Sequence, residues 1–321
     1  MISNSGSPLG SPRSSTQNSS PFAVILYGVT LTWFLFPLLG SLFMNAPPLV
    51  ITTLLFVAIA AWGVYLFAWP RWRRQLTLRR SFPESWRQLL HEQVPVYRRL
   101  PRALRAQLEQ HVQLFMAEKP IYGCDGFRVT QRVRLTIAGH ACLLIVARPF
   151  SDFDTVRAVL VYPGVYRVRE AVSDGLVQWQ DEEFRAGESW DGGRVVLSWQ
   201  DCQAAVRHPD GAHNVILHEF AHQLDHAGGD TNGAPGLDSA AARRWQRVMR
   251  EAYERLGNRL ATGQSTWLDP YGMTHPAEFF AVLSEGFFQQ PQTLQAHEPA
   301  VYAELSGFVR ISPAEGYRPV R

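Results

Sequence analysis

One short pattern in the sequence has the residue types and spacing of a hydrolytic zinc site: His218, Glu219 and His222, in the order H-E-x-x-H. Because the two histidines are four residues apart, both imidazoles would leave one face of a helix and could bind the same Zn²⁺ at about 2.0 to 2.1 Å. Glu219 would lie about 100° round that helix, beside the ligand face. A carboxylate in this position can act as the general base that zinc-dependent hydrolysis requires.

The residues around this pattern are apolar, and they are Val215, Ile216, Leu217, Phe220, Ala221 and Leu224. This composition is typical of a core helix that places two histidines at the base of a cleft. The alternative is a buried helix whose histidines are only hydrogen-bonded. A buried glutamate between them would then carry a large desolvation cost with no metal to offset it, which favours the metal site.

A catalytic zinc site needs a third protein ligand and an open fourth position. The extended pattern HExxHxxGxxH does not supply it, because Asp225 and Gly228 occupy the positions of its glycine and third histidine. The best candidate is Glu278, in the first turn of a helix predicted to begin at Pro276. Glu285, seven residues later on the same face, is either a competing ligand or a partner of a ligand histidine. The simpler interpretation of Glu278 is a charge that complements the helix dipole.

Other polar residues near these elements have two interpretations each. Tyr271 lies in a Pro-Tyr-Gly turn, where its phenol could donate to the oxyanion formed as water attacks a carbonyl, or could simply pack. Asp269 and His275 are weaker ligand candidates, and turn and capping roles suit them better. Asp225 could orient a ligand histidine, or could be an ordinary residue at the end of a helix.

Hydrophobic periodicity indicates the elements that carry these residues. Residues 81–119 have a helical period broken at Pro95 and Pro101, which predicts two helices. β-type runs follow at 132–138, 142–147, 156–162, 166–170 and 194–200. Helical stretches return at 213–226, 238–260 and 276–288. This order predicts an α+β fold with a small antiparallel or mixed sheet, in a domain over 81–312 that is followed by a C-terminal tail, 313–321.

The first 70 residues have a different composition. Residues 1–20 are rich in Ser, Asn, Gly and Pro, which predicts a disordered tail. Two uncharged apolar stretches, 22–44 and 49–69, are separated by only four residues. The first would form a helix of about 34 Å, enough to cross a bilayer core of about 30 Å. The sequence therefore predicts a hairpin of two transmembrane helices over 21–70.

A basic segment, 71–80, follows the second apolar stretch and is predicted to be a juxtamembrane linker. Its arginines are Arg71, Arg73, Arg74, Arg79 and Arg80. By the positive-inside rule they stay in the cytoplasm, so we expect a multi-pass protein of the inner membrane with its catalytic domain in the cytoplasm. A signal peptide over 1–44 is the weaker alternative, because the n-region is weakly charged and there is no A-x-A site. The three cysteines form no CxxC pair, which excludes a disulfide framework and fits a reducing compartment.

The net charge of +3 does not predict nucleic-acid binding. No Asp or Glu precedes Glu84, whereas six arginines do, so the remainder has 25 basic and 28 acidic residues and a net charge of −3. A domain without a basic excess lacks the electrostatic footprint that a phosphate backbone requires. We therefore expect no direct nucleic-acid partner.

Two motifs resemble those of a known family. The segments HEFAHQLD and, about 50 residues later, YGMTHPAEFFAVLSEGFF are similar to those of the Mlc titration factor A family of gluzincin-like zinc peptidases. The resemblance covers about residues 81–310, and its fold is zincin-like. It implies that His218, His222 and Glu278 bind zinc, that Glu219 is the base and that Tyr271 assists at the oxyanion. The first 80 residues depart from the family's soluble members.

The resemblance also implies substrates and partners. It implies hydrolysis of peptide bonds, with aminopeptidase action on short peptides as one form. Strand 194–199 resembles the edge strand against which gluzincins align an extended peptide. The family is linked to a glucose-responsive transcriptional repressor, which is a candidate partner. A second class of function therefore stays open, in which a regulatory protein keeps the zinc fold and sequesters a transcriptional regulator or another partner.

Overall fold

The computed structural model describes residues 47–164, 166–168, 183–185, 187–190, 192–211, 213–226, 233, 237 and 239–320. The predicted tail, 1–20, and the first apolar stretch, 22–44, lie outside the described residues. The chain divides into two compact units, with the boundary between Trp72 and Arg73.

Helix α1 (Pro48–Leu78) contains the whole of the second apolar stretch, 49–69. Its most apolar 18-residue window has a mean hydropathy of 2.3, and none of that window is buried. By length and composition it is the one helix in the described part of the chain that could cross a membrane. The helix continues through Pro70, so most of the segment predicted as a linker, 71–80, is helical.

Residues 73–80 form specific hydrogen bonds with the rest of the second unit. Arg74 forms two hydrogen bonds of 2.8 Å with the carboxylate of Glu118 and a third, of 2.5 Å, with Asp154. The Gln113 amide donates at 2.9 Å to the carbonyl oxygens of Thr77 and Arg80. This segment is therefore part of the folded second unit.

Residues 81–119 form three helices, one more than the period predicted. They are α2 (Glu84–Gln93), α3 (Pro95–Arg99) and α4 (Arg102–Glu118). Proline fits the first positions of a helix because its missing N–H has no partner there. Pro95 begins the short α3, and Pro101 precedes α4, so each proline starts a helix.

The predicted strands at 132–138 and 142–147 are wrong, because helix α5 (Gln131–Leu143) occupies most of this segment. The Thr130 hydroxyl caps it by accepting from the Val133 amide at 3.4 Å. All of residues 135–143 are buried, so the helix shows no one-sided period that would distinguish it from a buried strand. Gly139 is required by close packing, since a Cβ there would lie 2.5 Å from Val94 Cγ2.

The main sheet has four strands in the order β1-β2-β6-β5, and a separate pair is formed by β3 and β4. The bounds are β1 (Ile121–Gly123), β2 (Ala158–Tyr162), β3 (Tyr166–Val168), β4 (Glu183–Arg185), β5 (Gly187–Trp190) and β6 (Arg194–Ser198). Strand β2 is parallel to β1 and β6, whereas β5 is antiparallel to β6. The sheet is therefore mixed.

The expectation that residues 194–199 form an edge strand is wrong. Strand β6 pairs with β2 on one side and with β5 on the other, so it lies inside the sheet. Gly192 and Gly193 have positive φ angles of 98° and 78°, which lets the chain turn tightly between β5 and β6. The edge beside the site helix is therefore β5.

Helices carry most of the remaining chain. They are α6 (Trp199–Arg207), α7 (Val215–His226), α8 (Ser239–Ala261), α9 (Pro276–Gln289), α10 (Pro291–His297) and α11 (Pro299–Val309). Helices α7, α8 and α9 match the predicted stretches closely. Helix α7 packs against α9, α5 and strands β5 and β6. The fold is thus mixed, mainly helical with small sheets.

The segment predicted as a C-terminal tail begins with a 3-10 turn (Pro313–Glu315). Strand β7 (Ile311–Ser312) pairs with β8 (Arg318–Pro319). The Tyr302 hydroxyl lies 2.8 Å from the Ser312 hydroxyl and accepts from the Ala314 amide at 2.9 Å. The side chain of Tyr317 is buried in the core.

Candidate metal centre

Helix α7 begins after Asn214, which satisfies the first free amides of the helix. The Asn214 side-chain oxygen accepts from the Leu217 amide at 3.2 Å, and its carbonyl accepts from the His218 amide at 3.0 Å. This is the usual capping role of an asparagine. The apolar face of α7, which includes Phe220 and Ala221, is buried in the core. Capping and burial together fix where the two histidines leave the helix.

Three side chains converge beside α7. One ligand atom from each of His218, His222 and Glu278 lies within 4.8 Å of the other two. Glu278 Oε2 is 2.8 Å from His218 Nε2 and 3.4 Å from His222 Nε2. The two rings are 4.9 Å apart and nearly perpendicular, at 80°. Two imidazoles and one carboxylate are the donor set of many catalytic zinc sites.

Glu278 reaches this cluster from the first turn of α9. Pro276 occupies the start of that helix, and His275 Nδ1 caps it by accepting from the Ala277 amide at 3.2 Å. Asp269 has the equivalent role in the preceding 3-10 turn (Pro270–Met273), where its Oδ1 accepts from the Tyr271 amide at 2.8 Å. His275 and Asp269 are therefore the capping residues that the sequence favoured.

Glu285 contacts the other nitrogen of the His218 ring. Its Oε1 lies 2.8 Å from His218 Nδ1, and its Oε2 accepts a hydrogen bond from the Asn214 amide. Only 2% of the Glu285 side chain is exposed. A carboxylate at Nδ1 holds a proton on that nitrogen, so Nε2 is the ring atom that faces Glu278 and His222.

The charges in the centre suit a cation. Burial is the largest influence on the pKa of His218 and lowers it, but the hydrogen bonds that its ring donates to Glu278 and Glu285 together raise that pKa well above its usual value. Burial likewise opposes ionisation of Glu278, yet its hydrogen bonds with His218 and His222 lower its pKa. Glu278 is therefore held ionised beside the imidazoles, and a divalent cation bound to the same donors would also stabilise its charge.

The two predicted catalytic residues lie next to this cluster. Glu219 is buried on α7, directly after His218 in the chain. The ring of Tyr271 lies 6.1 Å from that of His218, at 42°, and 53% of Tyr271 is exposed. A half-exposed phenol beside a partly buried cluster can contact a ligand that enters from solvent. The structure thus brings the five predicted site residues together.

Comparisons with known proteins show the family to which this chain belongs. The model of the glucose-regulated metallo-peptidase M90 family matches residues 69–310. The chain belongs to this family. It is 37% identical over 268 residues to an uncharacterized protein of Synechocystis sp., and this alignment covers 83% of this chain and 97% of the relative. It is 30% identical over 258 residues to Mlc titration factor A of Salmonella gallinarum, and this alignment covers 79% of this chain and 95% of the relative.

Membership of the M90 family confirms the resemblance drawn from the two motifs. A metallo-peptidase family also implies a bound metal, and the cluster of His218, His222 and Glu278 fits one by its donors and its charge. The family match begins at residue 69, so the segment predicted as a membrane hairpin, 21–70, lies almost entirely outside it.

Asp225, another candidate, lies near the C-terminal end of α7. Its Oδ2 accepts from the Gly233 amide at 2.8 Å, and the Gly233 carbonyl accepts from Trp245 Nε1 at 2.7 Å. Gly233 has a φ of 73°, and a Cβ there would lie 2.5 Å from the Pro276 carbonyl. Asp225 therefore holds a close approach of the chain to the start of α9.

Sequence reasoning missed two residues that position the site, Asn214 and His213. An asparagine directly before a predicted helix is a capping signal, so Asn214 could have been found. Nε2 of His213 lies 2.9 Å from Oδ2 of Asp269. These two residues are 56 positions apart in the chain, and no local pattern connects them.

Proposed function

We propose that this chain is a zinc-dependent peptidase. The observation that carries the proposal is the approach of Glu278 Oε2 to Nε2 of both His218 and His222, at 2.8 and 3.4 Å. The carboxylate of Glu219 lies on the same helix and is buried. A metal site with three protein ligands supports catalysis, because structural zinc sites are usually closed by four.

The proposed ligands are His218, His222 and Glu278, and the proposed metal is Zn²⁺. When bound, zinc supplies a Lewis acid for attack of water on a peptide carbonyl. Glu285 keeps His218 Nδ1 protonated, so that Nε2 is the atom presented to the metal. The chemistry of these donors, two imidazole nitrogens and one carboxylate oxygen, supports zinc over harder cations such as Mg²⁺, which prefer oxygen ligands.

Glu219 is the proposed general base. Its position directly after His218 places its carboxylate about 100° round the helix, beside the ligand face. There it can accept a proton from the attacking water and return it to the leaving amine. Burial removes competing solvent from around this carboxylate, which strengthens its interaction with the proton that it transfers.

Tyr271 is the proposed donor to the carbonyl oxygen as negative charge develops on it. Its ring lies beside that of His218 and is half exposed. A phenol donor contributes only if the turn that carries it holds it in place. Asp269 caps that turn, and the Tyr253 hydroxyl donates to the Met273 carbonyl at 2.7 Å.

Strand β5 (Gly187–Trp190) is the proposed alignment edge for an extended peptide. It pairs antiparallel with β6, and in the described part of the chain no second strand pairs with it. It also packs against the site helix α7. A peptide could add to this edge through backbone hydrogen bonds, which supports action on short or unfolded peptides, aminopeptidase action included.

We further propose that the peptidase is anchored in the inner membrane. Helix α1 supports one span by its length and its unburied apolar residues. The stretch at 22–44 would supply the second span of a hairpin, because it is uncharged and long enough. The arginines after residue 70 support a cytoplasmic location for the peptidase domain.

A second function is favoured by the relatives. Several are named Mlc titration factor A, a name that describes titration of a partner called Mlc. This chain would in that case sequester a transcriptional repressor and use the metal centre to stabilise the fold.

The test compares peptide hydrolysis by the wild type and by Glu219→Gln. Glu219→Gln should retain zinc and lower kcat by about 10² or more, since the amide cannot accept the proton. Glu92→Gln, which removes an exposed carboxylate on α2, is the matched control and should behave as the wild type. Equal, measurable rates for the wild type and Glu219→Gln would exclude Glu219 as the base. No hydrolysis by the wild type would favour the regulatory function.

A further inference from the structure

Two residues outside the metal cluster connect the start of α7 to the turn that carries Tyr271. His213 Nε2 lies 2.9 Å from Asp269 Oδ2, and the other carboxylate oxygen of Asp269 accepts from the Tyr271 amide at 2.8 Å. His213 directly precedes Asn214, the cap of the metal helix. One carboxylate therefore bridges the beginning of α7 and the backbone of Tyr271.

His213 also lies close to two residues of α9. Its carbonyl accepts from the Gln289 side chain at 3.3 Å, and its Nδ1 lies 4.0 Å from Glu285 Oε2. Glu285 is the same residue whose carboxylate contacts Nδ1 of His218. The bridge to Tyr271 thus begins at the residues that orient the first histidine of the centre.

The pair is too exposed to be explained by stability. The His213 side chain is 73% exposed and that of Asp269 is 21% exposed. Exposed pairs of this kind contribute little to the free energy of folding, commonly about 0 to 1 kcal/mol. The consequence of the contact is therefore geometric: it limits where Tyr271 can lie relative to the ring of His218.

We propose that His213 and Asp269 are positioning residues that hold Tyr271 at the metal centre. The proposal rests on the proposed function, in which the Tyr271 phenol donates to the substrate carbonyl. A displacement of about 1 Å can lower a rate about 10²-fold when a catalytic group must be aligned. Loss of the bridge should therefore lower kcat without changing the metal.

The first test is a double-mutant cycle in the full chain. His213→Ala should lower kcat about tenfold with KM and zinc content unchanged, whereas in a Tyr271→Phe background it should have no further effect. His213→Gln, whose amide can donate to Asp269, should recover most of the rate. His208→Ala, which removes another exposed histidine, is the matched control. An equal loss in both backgrounds would overturn the proposal.

The second test does not depend on activity. Hydrogen exchange of the amides in residues 271–274 should be up to about fivefold faster in His213→Ala than in the wild type or His208→Ala, because the turn opens more often. Unchanged exchange would overturn the proposal. If the wild type hydrolyses no peptide, the proposed function and the catalytic role of the pair both fail, and exchange still decides whether the pair holds the turn.

Discussion

The carboxylate of Glu285 lies 2.8 Å from Nδ1 of His218 and so determines which nitrogen of that ring faces the metal centre. Glu278 lies at the same distance from the other nitrogen, Nε2. The two glutamates are seven residues apart on α9 and share one face of it. His218 thus lies between Glu285, which orients its ring, and Glu278, which is proposed to bind the same metal ion.

This arrangement predicts different losses of zinc affinity for the two glutamates. Glu278→Ala should lower zinc affinity by orders of magnitude, because it removes a ligand. Glu285→Ala should lower it about 10 to 100-fold, the usual effect of removing a group that orients a ligand. Competition with a chelator measures both. If Glu285→Ala loses the metal while Glu278→Ala keeps it, the ligand assignment fails.

Tyr271→Phe should leave zinc binding unchanged and lower kcat by about 10² or more, since the phenol is proposed to donate only as negative charge develops. The rate and zinc content should be measured on the same preparation. Tyr122→Phe removes a hydroxyl from another exposed tyrosine and serves as control. A Tyr271→Phe enzyme with full kcat would exclude the oxyanion role.

His140 predicts a pH dependence of folding stability. It is fully buried, and burial lowers its pKa from 6.5 to about 4. The unfolded chain therefore binds a proton that the folded chain does not, so stability is complete above pH 6.5 and falls as the pH drops toward 4. Between pH 6 and 5 the loss should approach about 1.4 kcal/mol per pH unit. Buried His111, whose pKa is also lowered to about 4, adds to the slope of the wild type. Urea unfolding should therefore show a slope that is smaller in His140→Leu than in the wild type by up to this amount.

The apolar segments predict that the protein stays in the membrane fraction when membranes are washed with concentrated salt. A spanning helix is held by burial of apolar surface, which salt does not weaken. A reporter fused to the C terminus should behave as cytoplasmic. Release by salt would show that α1 binds the membrane only at its surface, and a periplasmic reporter would reverse the topology.

The sequence predicted the helices of the site better than the sheet beside it. Helix α8 has a one-sided apolar period, α9 has a proline at its start, and α7 carries two histidines at helical spacing. All three signals are local. Helix α5 was taken for strands because it is buried on every side. A period of 3.6 appears only when one face of a helix meets water.

The cluster of proposed ligands could be predicted because the types and spacing of His218 and His222 restrict the chemistry. The position of Glu278 followed from a helix start, which is also local. The edge strand could not be predicted in the same way, because the order of strands in a sheet depends on which strands pair. Strands β5 and β6 are separated by only a tight turn, so the sequence did not show which of them lies at the edge. The contact of His213 with Asp269 joins two distant loops and left no signal in either.

The most direct test of the account is the zinc content of the purified protein and of three single variants, measured by mass spectrometry under non-denaturing conditions. The wild type should bind close to one zinc per chain. His218→Ala and His222→Ala should lose it, while His91→Ala, which removes an exposed histidine on α2, should keep it. A His218→Ala protein that retains one zinc per chain would contradict the metal centre proposed for this chain.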